Sequence, residues 1–194
     1  RMFKSPSTSE IKSSIDFDHY IPLDKSWIIR MGILDLMIDS DHTVRFLQNY
    51  SGVLSDDLKA LLRASRQWRS EEVVDVGESG TLFRFMQFMA WKQGRDVNFQ
   101  KAGTLETRKI TNDPRIIGLS IPELLKLDGG TSQWASAAIL CNDTDTSSLR
   151  ETPYKLALTI EAKQHWLQTR ANGQTWRPKI DSTLENQALA FIKW

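Results

Sequence analysis

Residues 71–94, EEVVDVGESGTLFRFMQFMAWKQG, decide the fold class. Residues 71–77 form a short β-branched run that stops at Gly77, the signature of a strand. Residues 81–94 follow as a densely apolar segment with a helical pattern and a glycine stop at Gly94. Strand, glycine turn and helix in that order point to an α/β chain, with helices layered against sheet.

The same alternation extends in both directions. Downstream, RDVNFQKAG (95–103) alternates and stops at glycine, so a second strand is expected. Upstream, SDDLKALLRASRQW (55–68) opens with Ser55 and the acids Asp56 and Asp57, which suit a helix N-cap and the positive end of its dipole. SWIIRMGILDLMI (26–38) is apolar on most faces, as in a helix packed on several sides. IIGLSIPELLKL (116–127) reads as a short helix between strands. GGTSQWASAAILC (129–141) repeats the order of glycine, hydroxyl residues and apolar helix. YKLALTIEAKQHWLQTRANG (154–173) reads as an amphipathic helix with a glycine stop, and DSTLENQALAFIKW (181–194) as one more helix.

Composition narrows the function classes. A chain of 194 residues, 40% hydrophobic and 25% charged, can bury a core, and one compact domain is expected. A formal net charge of +1 offers no global attraction to nucleic acid or to an acidic membrane surface, so any anion site must be local. Cys141, the single cysteine, has no partner for an internal disulfide, and the apolar runs are far short of a membrane span. The opening RMFKSPSTSE lacks the apolar core of a secretory signal and is set aside from the fold. The expectation is a soluble, cytoplasmic protein.

Three stretches place hydroxyl residues or cations at a helix start: DKSWIIR with Lys25, Ser26 and Arg30, ESGTLFR with Ser79, Gly80, Thr81 and Arg84, and GGTSQ with Thr131, Ser132 and Gln133. The first N–H groups of a helix lack intrahelical partners and lie at the positive end of its dipole, so such starts suit a phosphate. Lys25 and Arg30 would add charge, arginine in a two-pronged manner. Taken singly, each start is also an ordinary cap. Arg84 either reaches toward a site or extends to the surface along its apolar helix. His19, His42 and His165 have no spacing suited to a metal or a triad, Cys141 reads as core, and the seven tryptophans read as packing residues.

The order and wording of these stretches resemble the enolpyruvyl transferase family, in the branch acting on shikimate 3-phosphate. PLDKSWIIR resembles its Lys-Ser-x-x-x-Arg opening, LSDDLKALL its Ser-Asp-Asp helix, and GESGTLFRF its Asn-Ala-Gly-Thr-x-x-Arg-Pro segment. TLETRKI stands where the family has Glu-Arg-Pro-Ile, GGTSQWASAAIL where it has Ser-Ser-Gln, ETPYKLALTI where it has Ser-x-Pro-Tyr, and IDSTLENQALAFI where it has a Ser-Ser-Ala helix. The likeness runs from about residue 18 to 194.

The resemblance implies an α/β globule of repeated βαβαββ units over residues 18–180, with 1–17 a separate N-terminal segment and 181–194 the start of a connection to a second globule. It implies transfer of the enolpyruvyl group of phosphoenolpyruvate to the 5-hydroxyl of shikimate 3-phosphate, without a cofactor or metal. Lys25 would be the catalytic cation between the two substrates. Ser26 and Arg30 would hold the shikimate portion, Thr131, Ser132 and Gln133 its phosphate and hydroxyls, and Tyr154 one side of it. Gly80 would give the backbone access to phosphoenolpyruvate.

The chain departs from the family at Glu78 for asparagine, Phe85 for proline, Thr104 for the arginine that grips phosphoenolpyruvate, and Glu151 for a phosphate-binding serine. Thr104 tells against tight phosphoenolpyruvate binding, and the charge of Glu151 opposes the shikimate phosphate unless it turns away or is paired; shikimate 3-phosphate stays the expected partner, while Glu78, Thr104 and Glu151 favour a non-catalytic reading. In the family the second globule supplies the acid and base, so this length alone is expected to bind without turnover, with a second globule or a second copy of the chain as partner. Two other readings stand beside this one. One is a non-catalytic phosphometabolite-binding or interaction domain. The other is a nucleotide-sugar enolpyruvyl transferase relative, although that branch has Lys-Asn at Lys25-Ser26 and lacks the Ser132-Gln133 pair.

Overall fold

The computed structural model describes residues 23–70, 72–127, 132–143 and 154–179. They form a mixed α/β structure that is mostly helical, with eight α-helices, one 3-10 turn and two parallel strands. In chain order these are α1 (Lys25–Met37), α2 (His42–Asn49), α3 (Asp56–Ser70), β1 (Val73–Gly77), α4 (Gly80–Lys92), β2 (Asn98–Lys101), α5 (Thr104–Thr107), the 3-10 turn Pro114–Gly118, α6 (Ile121–Leu127), α7 (Gln133–Cys141) and α8 (Tyr154–Ala171).

The strand–turn–helix reading of residues 71–94 holds. β1 and β2 pair in parallel, Val74 opposite Phe99 and Asp75 opposite Gln100, with an irregularity between Asp75 and Gly77. A parallel pair needs a crossover, and α4 supplies it. Val74 and Val76 are buried while the β2 residues stay more open. Gly77 closes β1 at φ +59, a conformation that disfavours any side chain. Among the described residues this is one strand–helix–strand unit, and repetition of a βαβαββ unit is not shown.

The helices carry the core. α4 is buried from Gly80 to Ala90 apart from Thr81, because apolar residues cover nearly its whole circumference. It packs against α7, where Trp91 stacks on Trp134 at 5.7 Å. α1 is buried over Trp27–Leu36 and contacts α3, α7 and α8. Gly32 permits the close approach to α3, since a Cβ there would lie 2.8 Å from Leu61 Cδ1.

Three local readings need correction. Residues 116–127 are not one helix between strands: the 3-10 turn ends at Gly118, and α6 begins after Ser120, whose hydroxyl and N–H donate to Glu123 Oε2 at 3.0 and 2.8 Å. That reciprocal capping box restarts the chain as a helix packed on α7. α2 was not expected at all, although Ser40 accepts from the His42 N–H at 3.3 Å and Thr43 and Leu47 turn inward. The second expected strand contracts from 95–103 to Asn98–Lys101. The helix expected over 181–194 lies outside the described residues.

One acid stands in this core. Asp35 of α1 is 3% exposed, and its carboxylate accepts from Trp166 Nε1 at 2.9 Å, Trp176 Nε1 at 2.8 Å, Thr43 Oγ1 at 2.6 Å and the Thr43 N–H at 3.2 Å. These four donors replace the water that the charge lost, and they tie α2, α8 and the segment after α8 to α1.

Candidate functional site

The turn after β1 brings the second and third stretches together. Ser79 is the N-cap of α4 and accepts from the Leu82 N–H at 3.2 Å, so its hydroxyl serves as an ordinary cap. Thr81, two residues on, accepts from Gln133 Nε2 at 2.9 Å. The side-chain carbonyl of Gln133 accepts from Arg84 Nη1, which also donates to the Gly80 carbonyl at 3.3 Å. The first turns of α4 and α7 are thereby joined. Arg84 does not extend to the surface; it is 8% exposed and turned toward the helix start.

Ser132 behaves differently from Ser79. It precedes α7 in the left-handed region, φ +58, and makes no side-chain cap bond. Its Oγ is buried without a hydrogen-bond partner in a residue only 1% exposed. A buried hydroxyl left unsatisfied costs on the order of 1–3 kcal/mol, so a polar guest would be welcome there.

The first stretch is arranged around α1. Asp24 caps the helix, accepting from the Trp27 N–H at 3.1 Å. Lys25 reaches Asp57 Oδ2 at 2.8 Å, so Asp57 is more than a helix-start charge. Ser26 Oγ accepts from Lys155 Nζ at 2.9 Å. Arg30, 2% exposed, donates to Thr159 Oγ1 at 2.6 Å, the Ser26 carbonyl at 2.9 Å and the Lys155 carbonyl at 3.5 Å. Thr159 in turn donates to Ser136 Oγ of α7 at 2.8 Å. Phe85 lies under the Arg30 guanidinium, 5.1 Å from centroid to Cζ, a use for an aromatic ring at that position.

A cavity of about 530 Å³ connects Lys25 with the turn after β1, lined by Lys25, Asp57, Lys59, Arg63, Gly77 and Glu78. Glu78 folds against the next turn: a Cβ on Gly103, which has φ +53, would run into the Glu78 carboxylate. Arg63 is held by Asp75 at 3.1 Å. Thr131 and Glu151 lie outside the described residues, as does the side chain of Tyr154, which begins α8.

Two further polar groups have structural work. His165 Nε2 accepts from the Arg177 N–H at 3.0 Å, and burial together with the Arg177 charge lowers its pKa. Lys163 donates to the Ile139 and Asn142 carbonyls at 2.6 and 2.5 Å, closing the C-terminus of α7, and burial lowers its pKa. Among the described residues no group of acids, histidines or cysteine could hold a metal ion, and no helix is long and apolar enough to cross a membrane.

Sequence reasoning missed Lys155, Thr159 and Ser136 as the partners of Ser26 and Arg30. Thr159 lies one helical turn beyond Lys155 on α8, but only the packing of α8 on α1 and α7 aims both at the first stretch. No family model, curated protein or solved structure matches the chain.

Proposed function

We propose that this chain is the shikimate-phosphate-binding part of an enolpyruvyl transferase, with the finer βαβαββ architecture that the family implies. The observation that carries the reading is the Thr81–Gln133–Arg84 linkage, which sets two helix N-termini side by side next to the unsatisfied Ser132 hydroxyl. Two positive helix ends and a guanidinium form a local anion site in a chain with almost no net charge.

In this reading the phosphate of shikimate 3-phosphate sits at the head of α7, bound by Ser132, Gln133 and Thr131. Ser26 and Arg30 hold the ring side, with Tyr154 flanking it. Lys25 exchanges its Asp57 partner for the substrates, so that its ammonium faces the oxygen at which negative charge develops. The shikimate 5-hydroxyl adds to the central carbon of phosphoenolpyruvate, and the tetrahedral adduct then loses phosphate. Both steps move protons, and in the family the acid and base come from the second globule. In this reading the residues named here bind and orient the two substrates.

A second reading, a phosphometabolite-binding module without catalysis, is favoured by the Lys25–Asp57 pair at 2.8 Å, which engages the proposed catalytic cation. Competition between shikimate 3-phosphate and a uridine diphosphate sugar separates the branches. Preference for the former supports the proposal, and preference for the latter moves the chain to the nucleotide-sugar branch.

A further inference from the structure

We infer that residues 176–179 form a strap across α1 and α8 that neutral His165 latches and acid releases, freeing the head of α1. The inference stands apart from the proposed substrates and uses only contacts within the chain.

The strap is fastened at both ends and in the middle. At one end Trp176, 3% exposed, donates its indole N–H to Asp35 Oδ2 at 2.8 Å. At the other the Lys179 carbonyl accepts from the Asp24 N–H at 2.9 Å, and Asp24 is the N-cap of α1. Between them the Arg177 peptide is gripped from two helices: its N–H donates to His165 Nε2 of α8 at 3.0 Å, and its carbonyl accepts from Trp27 Nε1 of α1 at 3.0 Å. The Trp27 and His165 rings lie 5.3 Å apart, so the two grips form one latch.

This latch requires a lone pair on His165 Nε2, hence the neutral Nδ1–H tautomer. Protonation turns that acceptor into a donor, and N–H then faces N–H. Among the described residues, the charges acting on His165 are Arg177 of the strap, which opposes the imidazolium, and Glu161 of α8, which favours it. Lys179 holds Glu161 at 3.3 Å and so offsets part of that favourable charge. From α1 the neighbour is the uncharged Trp27 ring, and the Asp24 carboxylate accepts from the Trp27 N–H at 3.1 Å. The titratable group at the Trp176 end is His42, 5.0 Å away between ring centroids.

Burial and the Arg177 charge together hold the His165 pKa below the ordinary 6.5, against Glu161. The open strap leaves the imidazole nearer its ordinary value, so the closed form binds protons less readily than the open one. Closure is therefore complete above 6.5 and weakens as pH falls below it. Because Lys179 holds the Asp24 N–H, release reaches the cap that precedes Lys25 and Ser26.

The test is amide and indole hydrogen exchange of the full chain between about pH 7.5 and about pH 5, corrected for intrinsic exchange, in the parent, His165→Gln and His42→Gln. Glutamine at 165 supplies a carbonyl that can accept the same N–H without titrating. In the parent and in His42→Gln, protection of the Arg177 N–H, the Trp27 indole N–H and the Asp24 N–H should fall together by about threefold or more, no more steeply than about tenfold per pH unit, the limit for one proton. In His165→Gln it should not change with pH. The ¹⁵N shifts of His165 should show the Nδ1–H tautomer at neutral pH. Protection in the parent that is indifferent to pH, a response that survives His165→Gln or vanishes in His42→Gln, loss confined to the Arg177 amide, or the opposite tautomer overturns the inference.

Discussion

Gln133 Nε2 donates to Thr81 Oγ1 at 2.9 Å, joining the first turn of α7 to the first turn of α4. The same side chain accepts from Arg84, so one amide fixes both the spacing of two helix ends and the direction of a guanidinium.

Replacing Gln133 by Leu removes both bonds and leaves Thr81 and Arg84 each with one partner fewer. A net loss of about 1–3 kcal/mol in stability is expected. Shikimate 3-phosphate affinity should fall by about tenfold or more, since each charge-assisted bond contributes roughly 1.5–3 kcal/mol. Urea unfolding and calorimetry on the same variant measure the two effects.

Gly80→Ala separates binding from folding. The added methyl meets the side-chain ends of Arg108 and Arg84 rather than backbone, and the exposed Arg108 can swing aside, so the melting temperature should change little while small-anion binding is lost. A drop in melting temperature of more than a few degrees would show instead that the helix start is packed tightly.

Asp35→Ala should be the most destabilising change to a polar residue. It strands the Trp166 and Trp176 indole N–H groups and both Thr43 donors inside the core. The expected cost is about 3–5 kcal/mol, seen as early denaturant unfolding and a red-shifted tryptophan emission. Asp35→Asn, which turns one acceptor into a donor facing an indole N–H, should recover part of that loss.

The buried Cys141 thiol links stability to alkaline pH. Burial pushes its pKa from 9.0 to about 12, against the opposing charges of Lys163 and Lys92. The unfolded thiol ionises near the ordinary value while the folded one stays protonated. Stability from this group is therefore complete below pH 9.0 and is lost as pH rises toward about 12. The slope for one proton is about 1.4 kcal/mol per pH unit, and Cys141→Ala should flatten it in pH-dependent denaturation.

Much of the architecture was legible because strong patterns met clear stops. The β-branched run before Gly77 and the apolar run to Gly94 place β1 and α4 within a residue or two. α2 escaped because it is short and mostly polar, with only Thr43 and Leu47 buried. The hydroxyl residues at helix starts were legible as a class, but not their division of labour. Ser79 caps its helix and Ser132 does not, and that difference lies in the backbone of Ser132, φ +58, which no residue pattern specifies. Arg108 reaches Gly80 only because the β2–α5 turn folds back on α4, a long-range contact that spacing along the chain cannot express.

Calorimetric titration with shikimate 3-phosphate, with shikimate and inorganic phosphate as controls, tests the central proposal most directly. The account predicts saturable binding that requires the phosphate and weakens in Lys25→Ala and Ser132→Ala. No heat from a well-folded chain, or binding indifferent to both substitutions, would contradict it.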